Sequence, residues 1–150
     1  MTIWFTADTH FGHNNIIKYC GRPFSSTEEM DETIISRWNE RVAKGDLVHH
    51  LGDFSWTDHN PILKRLNGQK HLTLGNHDHS KKVKHATLWE SVDNLRHITV
   101  DGVNIVLCHY SLRVWNKAHR GAIQLYGHSH GTLLGDSQST DVGVDCWDFS

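Results

Sequence analysis

Leu72-Thr73-Leu74-Gly75-Asn76-His77-Asp78 reads as the end of a buried strand that turns at a glycine and delivers three polar side chains together. An apolar run closed by glycine is a strand-and-stop signal. In open α/β sheets the carboxyl ends of strands are where sites are built. The expectation is that Asn76 holds a metal ion while His77 handles a proton beside it.

Working outward, four more apolar runs end in the same way. Thr2 to Ala7 is rich in β-branched and aromatic residues and leads into Asp8-Thr9-His10. In an extended segment, side chains two apart share a side, so Asp8 and His10 are expected to converge on one cation. Leu47 to Leu51 delivers Gly52-Asp53, Val103 to Cys108 ends in His109, and Ile123 to Tyr126 ends in Gly127-His128-Ser129-His130. His49 and His50 are adjacent within a strand and face opposite ways, so they are read as structural.

Between these runs lie helical signals. Ser26 with Glu29 is a capping box, and Met30, Ile34, Ile35, Trp38 and Val42 recur at helical spacing, predicting an amphipathic helix from about Thr27 to Ala43. Ile16-Ile17 suits a helical turn before the loop Gly21-Arg22-Pro23. Asn60-Pro61 starts a helix that Asn67-Gly68 stops. Asp101-Gly102 between Leu95–Val100 and Val103–Cys108 is a type I′ hairpin signal. Ser111 to Gly121 is expected to be an irregular or partly helical loop, Lys81 to Lys84 a solvated basic face, and Val142 to Val144 a last strand.

The 150 residues suit one domain spanning 1–150, able to bury roughly two thirds of its unfolded surface without staples. A net charge of −2 with interspersed signs argues against a broad basic face for nucleic acid or anionic lipid. Cys20, Cys108 and Cys146 are widely spaced and odd in number, and are expected to be free thiols of a reducing interior. No basic leader precedes Ile3-Trp4-Phe5 and no apolar run approaches the ~18 residues of a membrane span, so a cytoplasmic location is expected. Histidine is the outlier: the chain has 14 against 15 Lys plus Arg. Some, such as His59, His85 and His119, are read as solvated.

Asp8, His10, Asp53, Asn76, His109, His128 and His130 thus form a set of nitrogen and oxygen donors with no cysteine. Such a set suits Mn²⁺, Fe²⁺, Zn²⁺ or Ni²⁺ rather than a structural thiolate zinc. Seven ligands are too many for one ion and fit two ions sharing a carboxylate, about 3.5–4 Å apart.

Asp8-x-His10, Gly52-Asp53, Gly75-Asn76-His77-Asp78, His109 and Gly127-His128-x-His130, in this order, resemble the five motif blocks of the calcineurin-like metallophosphoesterases. The resemblance implies a four-layer αββα sandwich of two mixed β-sheets flanked by helices. It implies one ion on Asp8, His10 and His130, a second on Asn76, His109 and His128, and Asp53 bridging. The chain has neither the cap nor the insertion beside Gly52-Asp53 that larger relatives carry, so their substrates do not transfer.

The expected activity is a phosphoesterase, most simply a phosphodiesterase acting on small nucleotide-type diesters, in which a hydroxide between the ions attacks in line and His77 protonates the leaving group. A phosphomonoesterase or nuclease using the same metals, and a non-catalytic metal-binding scaffold, are the alternatives. Asp78 either orients His77 or a ligand from behind, or caps the following helix. Tyr110 and Trp115 are candidates to stack a base. Arg22, Arg113, Lys117 and Arg120 are candidates to meet phosphate, and His13 to touch substrate or brace His10.

Overall fold

The apolar runs become strands, and the strands fall into two sheets. The structure is a computed structural model that describes residues 1–150 except for the side chain of Ser80. Strands β1 (Ile3–Thr6), β2 (Leu47–His50), β3 (Gln69–Thr73) and β4 (Ser91–Asp93) lie side by side in that order, all parallel. Strands β5 (Leu95–Val100), β6 (Val103–Cys108), β7 (Ile123–Tyr126) and β8 (Ser139–Asp141) form the second sheet in the order β5-β6-β7-β8.

The first sheet is therefore parallel rather than mixed. Each of its first three strands is followed by a crossover through helix, which returns the chain in the same direction. The second sheet is mixed because the two-residue turn Asp101-Gly102 can join only antiparallel neighbours. Both turn residues have positive φ, +47° and +81°, as that turn requires. The pairs β6·β7 and β7·β8 are parallel. Strand β4 had no sequence signal, being three residues of weak alternation. The last strand falls at Ser139–Asp141, ahead of the expected Val142–Val144, and Val144–Cys146 is instead a 3-10 turn.

Four helices, α1 (Asn14–Tyr19), α2 (Thr27–Arg41), α3 (His59–Leu63) and α4 (Ser80–Lys84), follow strands β1 to β3. The long helix α2 starts as expected: Ser26 Oγ accepts the Glu29 N–H at 3.1 Å. The Glu29 carboxylate reaches back one residue further than a capping box needs, to Ser25 N–H and Oγ. Its stripe Met30, Ile34, Ile35 and Trp38 packs with Phe11, Val48, Leu63 and Leu72 in one core between helices and first sheet. Each such side chain contributes about 1.5–3 kcal/mol by leaving water.

A second core between the sheets holds Leu51, Ile105, Leu107, Leu125 and Val142. On that face Phe5 and His71 flank His49 as stacked rings, 5.6 and 5.1 Å away, while His50 points the other way, edge-on to Phe54. A parallel bridge from Ala7 to Gly143 joins the sheets just beyond β1. The strand ends of both sheets consequently open onto one place.

Candidate active site

Five of the seven candidate ligands have a left-handed backbone: Asp8, His10, Asp53, His128 and His130, with φ from +48° to +66°. Non-glycine residues enter this region at an energetic cost, and Asp and His are among those that tolerate it. This corrects the expectation for Asp8 and His10. They meet because the chain turns twice after β1 ends at Thr6, and not because an extended strand carries them on one side.

The turns are held by polar ties. Asp8 N–H and His10 N–H donate to Gly52 and Asp53 carbonyls, each at 3.0 Å, zipping the loop after β1 to the loop after β2. His50 closes a second tie. Its Nδ1 accepts the Gly52 N–H at 3.2 Å, so Nε2 carries the proton and donates to Thr9 Oγ at 3.0 Å; Thr9 then donates to Phe54 O at 2.8 Å.

Of the roles expected of it, Asp78 shows neither a bond to His77 nor a cap on α4, whose N-cap is His79, but it does hold the backbone of an expected ligand, Asp53. Its carboxylate accepts N–H donors from Asp53, Phe54 and Gly75 at 2.8, 3.1 and 2.8 Å, locking the loop after β2 to the loop after β3. Gly75 has its own reason. A Cβ there would lie 2.3 Å from Asp53 Oδ1 and 2.6 Å from Asp53 N, so glycine admits the carboxylate at close range rather than relieving a turn.

Within this frame the donor atoms fall into two groups, Asp8/His10/His130 and Asp53/His109/His128, each with its atoms within 4.8 Å of one another. Asp53 Oδ2 stands between them, 3.6 Å from His10 Nε2 and 3.4 Å from His109 Nε2. Asn76 Oδ1 is 3.1 Å from both His109 Nε2 and His128 Nδ1. All seven expected residues are brought together. Asp8 Oδ1 and His10 Nε2 are buried without any hydrogen-bond partner. An unsatisfied carboxylate oxygen and an unsatisfied imidazole nitrogen, side by side, are what a cation would satisfy.

The electrostatics agree. Burial holds the His10 imidazole down to about 2, so it is a neutral donor at physiological pH. Burial pushes the Asp8 carboxyl up to about 7, a cost that a cation beside it would reverse. Burial also works to raise Asp53, but His109, the His77 N–H and His10 outweigh it and bring Asp53 down to about 2. A third group, Cys20/His130/Asp145, is a poor cation site because the Arg22 guanidinium already grips Asp145 through Nε and Nη2 at 3.0 and 2.9 Å.

Arg22 is accordingly corrected. It is 4% exposed and donates also to the carbonyls of Asp8 and Thr9, leaving nothing for a phosphate. His13 is buried and braces His10, Nδ1 to Nδ1 at 3.2 Å. Trp115 donates its indole N–H to Ala122 O within its own loop and does not line the cleft, nor does the exposed Arg113. Tyr110 is half-exposed at the rim, 4.9 Å from the His128 ring. The aromatic wall lies elsewhere, in residues the sequence reading missed. Trp56 stacks on His13 at 4.3 Å, and Tyr19 with Asn15 stands on α1 across the cleft. Trp56 follows Asp53 by three residues, the one signal that pointed to it. His59, expected on the surface, is buried, its Nδ1 accepting the Trp89 indole N–H at 3.1 Å.

Residues 1–142 match the family model for the calcineurin-like phosphoesterase superfamily domain. The chain belongs to that family. It is 35% identical over 137 residues to an uncharacterized protein of Methanocaldococcus jannaschii, MJ1445, covering 88% of this chain and 71% of that one. Among solved structures, this phosphoesterase-family chain resembles the protein of unknown function AQ665 from Aquifex aeolicus, with a TM-score of 0.79 at 24% identity over 99% and 92% of the two chains. It also shares the fold of an archaeal phosphodiesterase, with a TM-score of 0.55 at 20% identity over 95% and 82%. Two four-stranded sheets with flanking helices are thus the metallophosphoesterase fold. Among the described residues no helix is long and apolar enough to cross a membrane.

Proposed function

We propose that the protein is a phosphodiesterase of small, nucleotide-type diesters that works with two divalent ions, Mn²⁺, Fe²⁺, Zn²⁺ or Ni²⁺. The observation that carries this reading is the Asp53 carboxylate, whose Oδ2 lies within 3.6 Å of one imidazole from each donor group. Asp8, His10 and His130 would hold one ion and Asn76, His109 and His128 the other, with Asp53 common to both. Ions held there supply a hydroxide nucleophile near neutral pH and neutralise charge on the phosphoryl oxygens.

The chain's own residues do the rest. His109 Nδ1–H donates to Leu51 O at 2.7 Å, which leaves its Nε2 lone pair facing the cleft. His13, by accepting from His10 Nδ1–H, leaves His10 Nε2 free in the same way. His77 is the general acid. Its backbone N–H is pinned to Asp53 Oδ1 at 2.8 Å, while its ring packs against His10 and Trp56 at the cleft wall. That geometry fixes the side chain beside the reacting phosphate without using its ring nitrogens, so it can protonate a departing alkoxide.

The preference for diesters rests on charge. Among the described residues lining the cleft there is no Lys or Arg. A monoester dianion would find no cation among those lining residues, Lys82 being tied to Trp56 O with its Nζ 5.4 Å from the Trp56 ring, whereas a diester brings a single charge. The cleft, about 280 Å³, is walled by Trp56, Tyr19 and His13, which suits a flat nucleoside against an aromatic surface. The same lack of a basic groove weighs against tracking along long nucleic acid.

The test is hydrolysis by metal-reconstituted protein of bis(p-nitrophenyl) phosphate against p-nitrophenyl phosphate, followed by cyclic and linear dinucleotides. Faster turnover of the diester is expected. Preference for the monoester would overturn the substrate assignment, and no turnover with two ions bound would leave a metal-binding scaffold.

A further inference from the structure

Asp145 lies beyond the family-matched residues 1–142 and carries no expectation from the sequence. Its carboxylate is nevertheless built into the site. Oδ2 accepts from His130 Nδ1 at 2.7 Å, while Arg22 donates Nη2 to Oδ2 and Nε to Oδ1 at 2.9 and 3.0 Å. The other face of the same guanidinium holds the backbone carbonyls of Asp8 and Thr9, at 2.6 and 3.0 Å. One buried ion pair therefore grips Asp8 and His130, two ligands from opposite ends of the chain. The 3-10 turn that carries Asp145 is itself anchored there, by Val144 N–H on Ala7 O at 3.0 Å and the Ala7–Gly143 bridge.

We propose that Asp145 is the positioning residue of the first ion site, holding His130 in the Nδ1–H form so that Nε2 presents its lone pair beside Asp8 and His10, with Arg22 setting the distance between the two segments. The proposal rests on the dinuclear reading above. Imidazole has one donor and one acceptor nitrogen when neutral, and a carboxylate on Nδ1 decides which is which. The Asp53/His109/His128 group has no contact with Asp145 or Arg22 among its hydrogen bonds and ion pairs; His109 is oriented separately by Leu51 O. The two sites are consequently tuned by different partners, and the C-terminal turn acts on one of them.

Two measurements test this. In metal-free protein labelled with ¹⁵N-histidine, long-range ¹H–¹⁵N correlation at mildly alkaline pH should find His130 as the Nδ1–H tautomer; finding Nε2–H overturns the assignment, and this needs no variant. Calorimetric titration with Mn²⁺ then compares the wild type with Asp145→Asn. One ion should bind about 10–100-fold more weakly, as loss of such an outer partner does elsewhere, with the other unchanged and the metal-free protein still folded. Two ions bound at wild-type affinity, or both weakened alike alongside a lower melting temperature, would reduce Asp145 to a structural tether. If Asp145→Asn does not fold, the tautomer decides alone. A wild type that takes fewer than two ions refutes the dinuclear reading, and the His130 tautomer still reports separately on Asp145.

Discussion

Substituting Gly75 by alanine adds one carbon and tests the shared-carboxylate arrangement directly. The new Cβ would sit 2.3 Å from Asp53 Oδ1, 2.6 Å from Asp53 N and 2.9 Å from His109 Cε1. Ordinary contact begins about 1 Å further out, and the first two neighbours are a pinned carboxylate and backbone. Asp53 cannot yield freely, because Oδ1 holds the His77 N–H and its own N–H is held by Asp78. Overpacking of this kind costs about 1–3 kcal/mol, or a melting temperature lower by roughly 2–12 °C for a domain of this size. The larger effect is on function. Metal–ligand distances tolerate about 0.2 Å, so an Asp53 displaced by even half the deficit loses its hold in both donor groups, and turnover should fall by about 10²-fold or more. Ion content by mass spectrometry, bis(p-nitrophenyl) phosphate turnover and a melting curve on one preparation check it. A Gly75→Ala protein with two ions and undiminished turnover would refute the idea that Asp53 is common to both sites.

The other substitutions separate chemistry from architecture. His77→Ala should keep both ions yet lose about 10²–10⁴-fold in turnover of alkyl diesters, with a much smaller loss for p-nitrophenyl leaving groups, which need no proton; equal losses for both leaving groups would remove His77 as the acid. Asp78→Ala strands two buried N–H donors and a part-buried third, and a urea titration should find it destabilised by about 2–6 kcal/mol. Asp46 accepts from Thr2 N–H, Trp4 Nε1–H and Ala43 N–H, led by Thr2, and these hold its carboxyl below the ordinary 3.8. A depressed carboxyl stabilises the fold above its unfolded pKa, and that contribution disappears as pH falls through the folded value. Urea midpoints should therefore drop below pH ~4 in the wild type, with a flatter acid limb in Asp46→Asn.

What the residues disclosed in advance followed from periodicity and strand ends. The hairpin Leu95–Val100/Val103–Cys108 and strand Ile123–Tyr126 fall where alternation and the Asp101-Gly102 turn put them, and the seven N/O donors gather as expected. Long-range partnerships were invisible. Nothing near Arg22 in sequence indicates Asp145, 123 residues away, and an arginine in a Gly-Arg-Pro loop looks solvated until its partner arrives. Asp78 was ambiguous because a carboxylate three residues past a glycine can cap a helix or orient His77 or a ligand equally well. Trp115 and Trp56 both stand in loops rich in polar residues, and only the fold tells the one on the cleft from the one turned back onto its own loop.

The left-handed backbone at Asp8, His10, Asp53, His128 and His130 has a bearing on how this protein would respond to selection. Glycine enters that conformation without the roughly 1 kcal/mol that a side chain meets there, so at these five positions the residue that best suits the backbone is one that cannot hold a metal. Random mutagenesis scored by heat resistance alone should enrich glycine at His128, the exposed one of the five, where no buried contact is lost, and those survivors should be inactive. Thermal robustness and chemistry compete here residue by residue, and only a screen that demands turnover keeps the strained loops as they are.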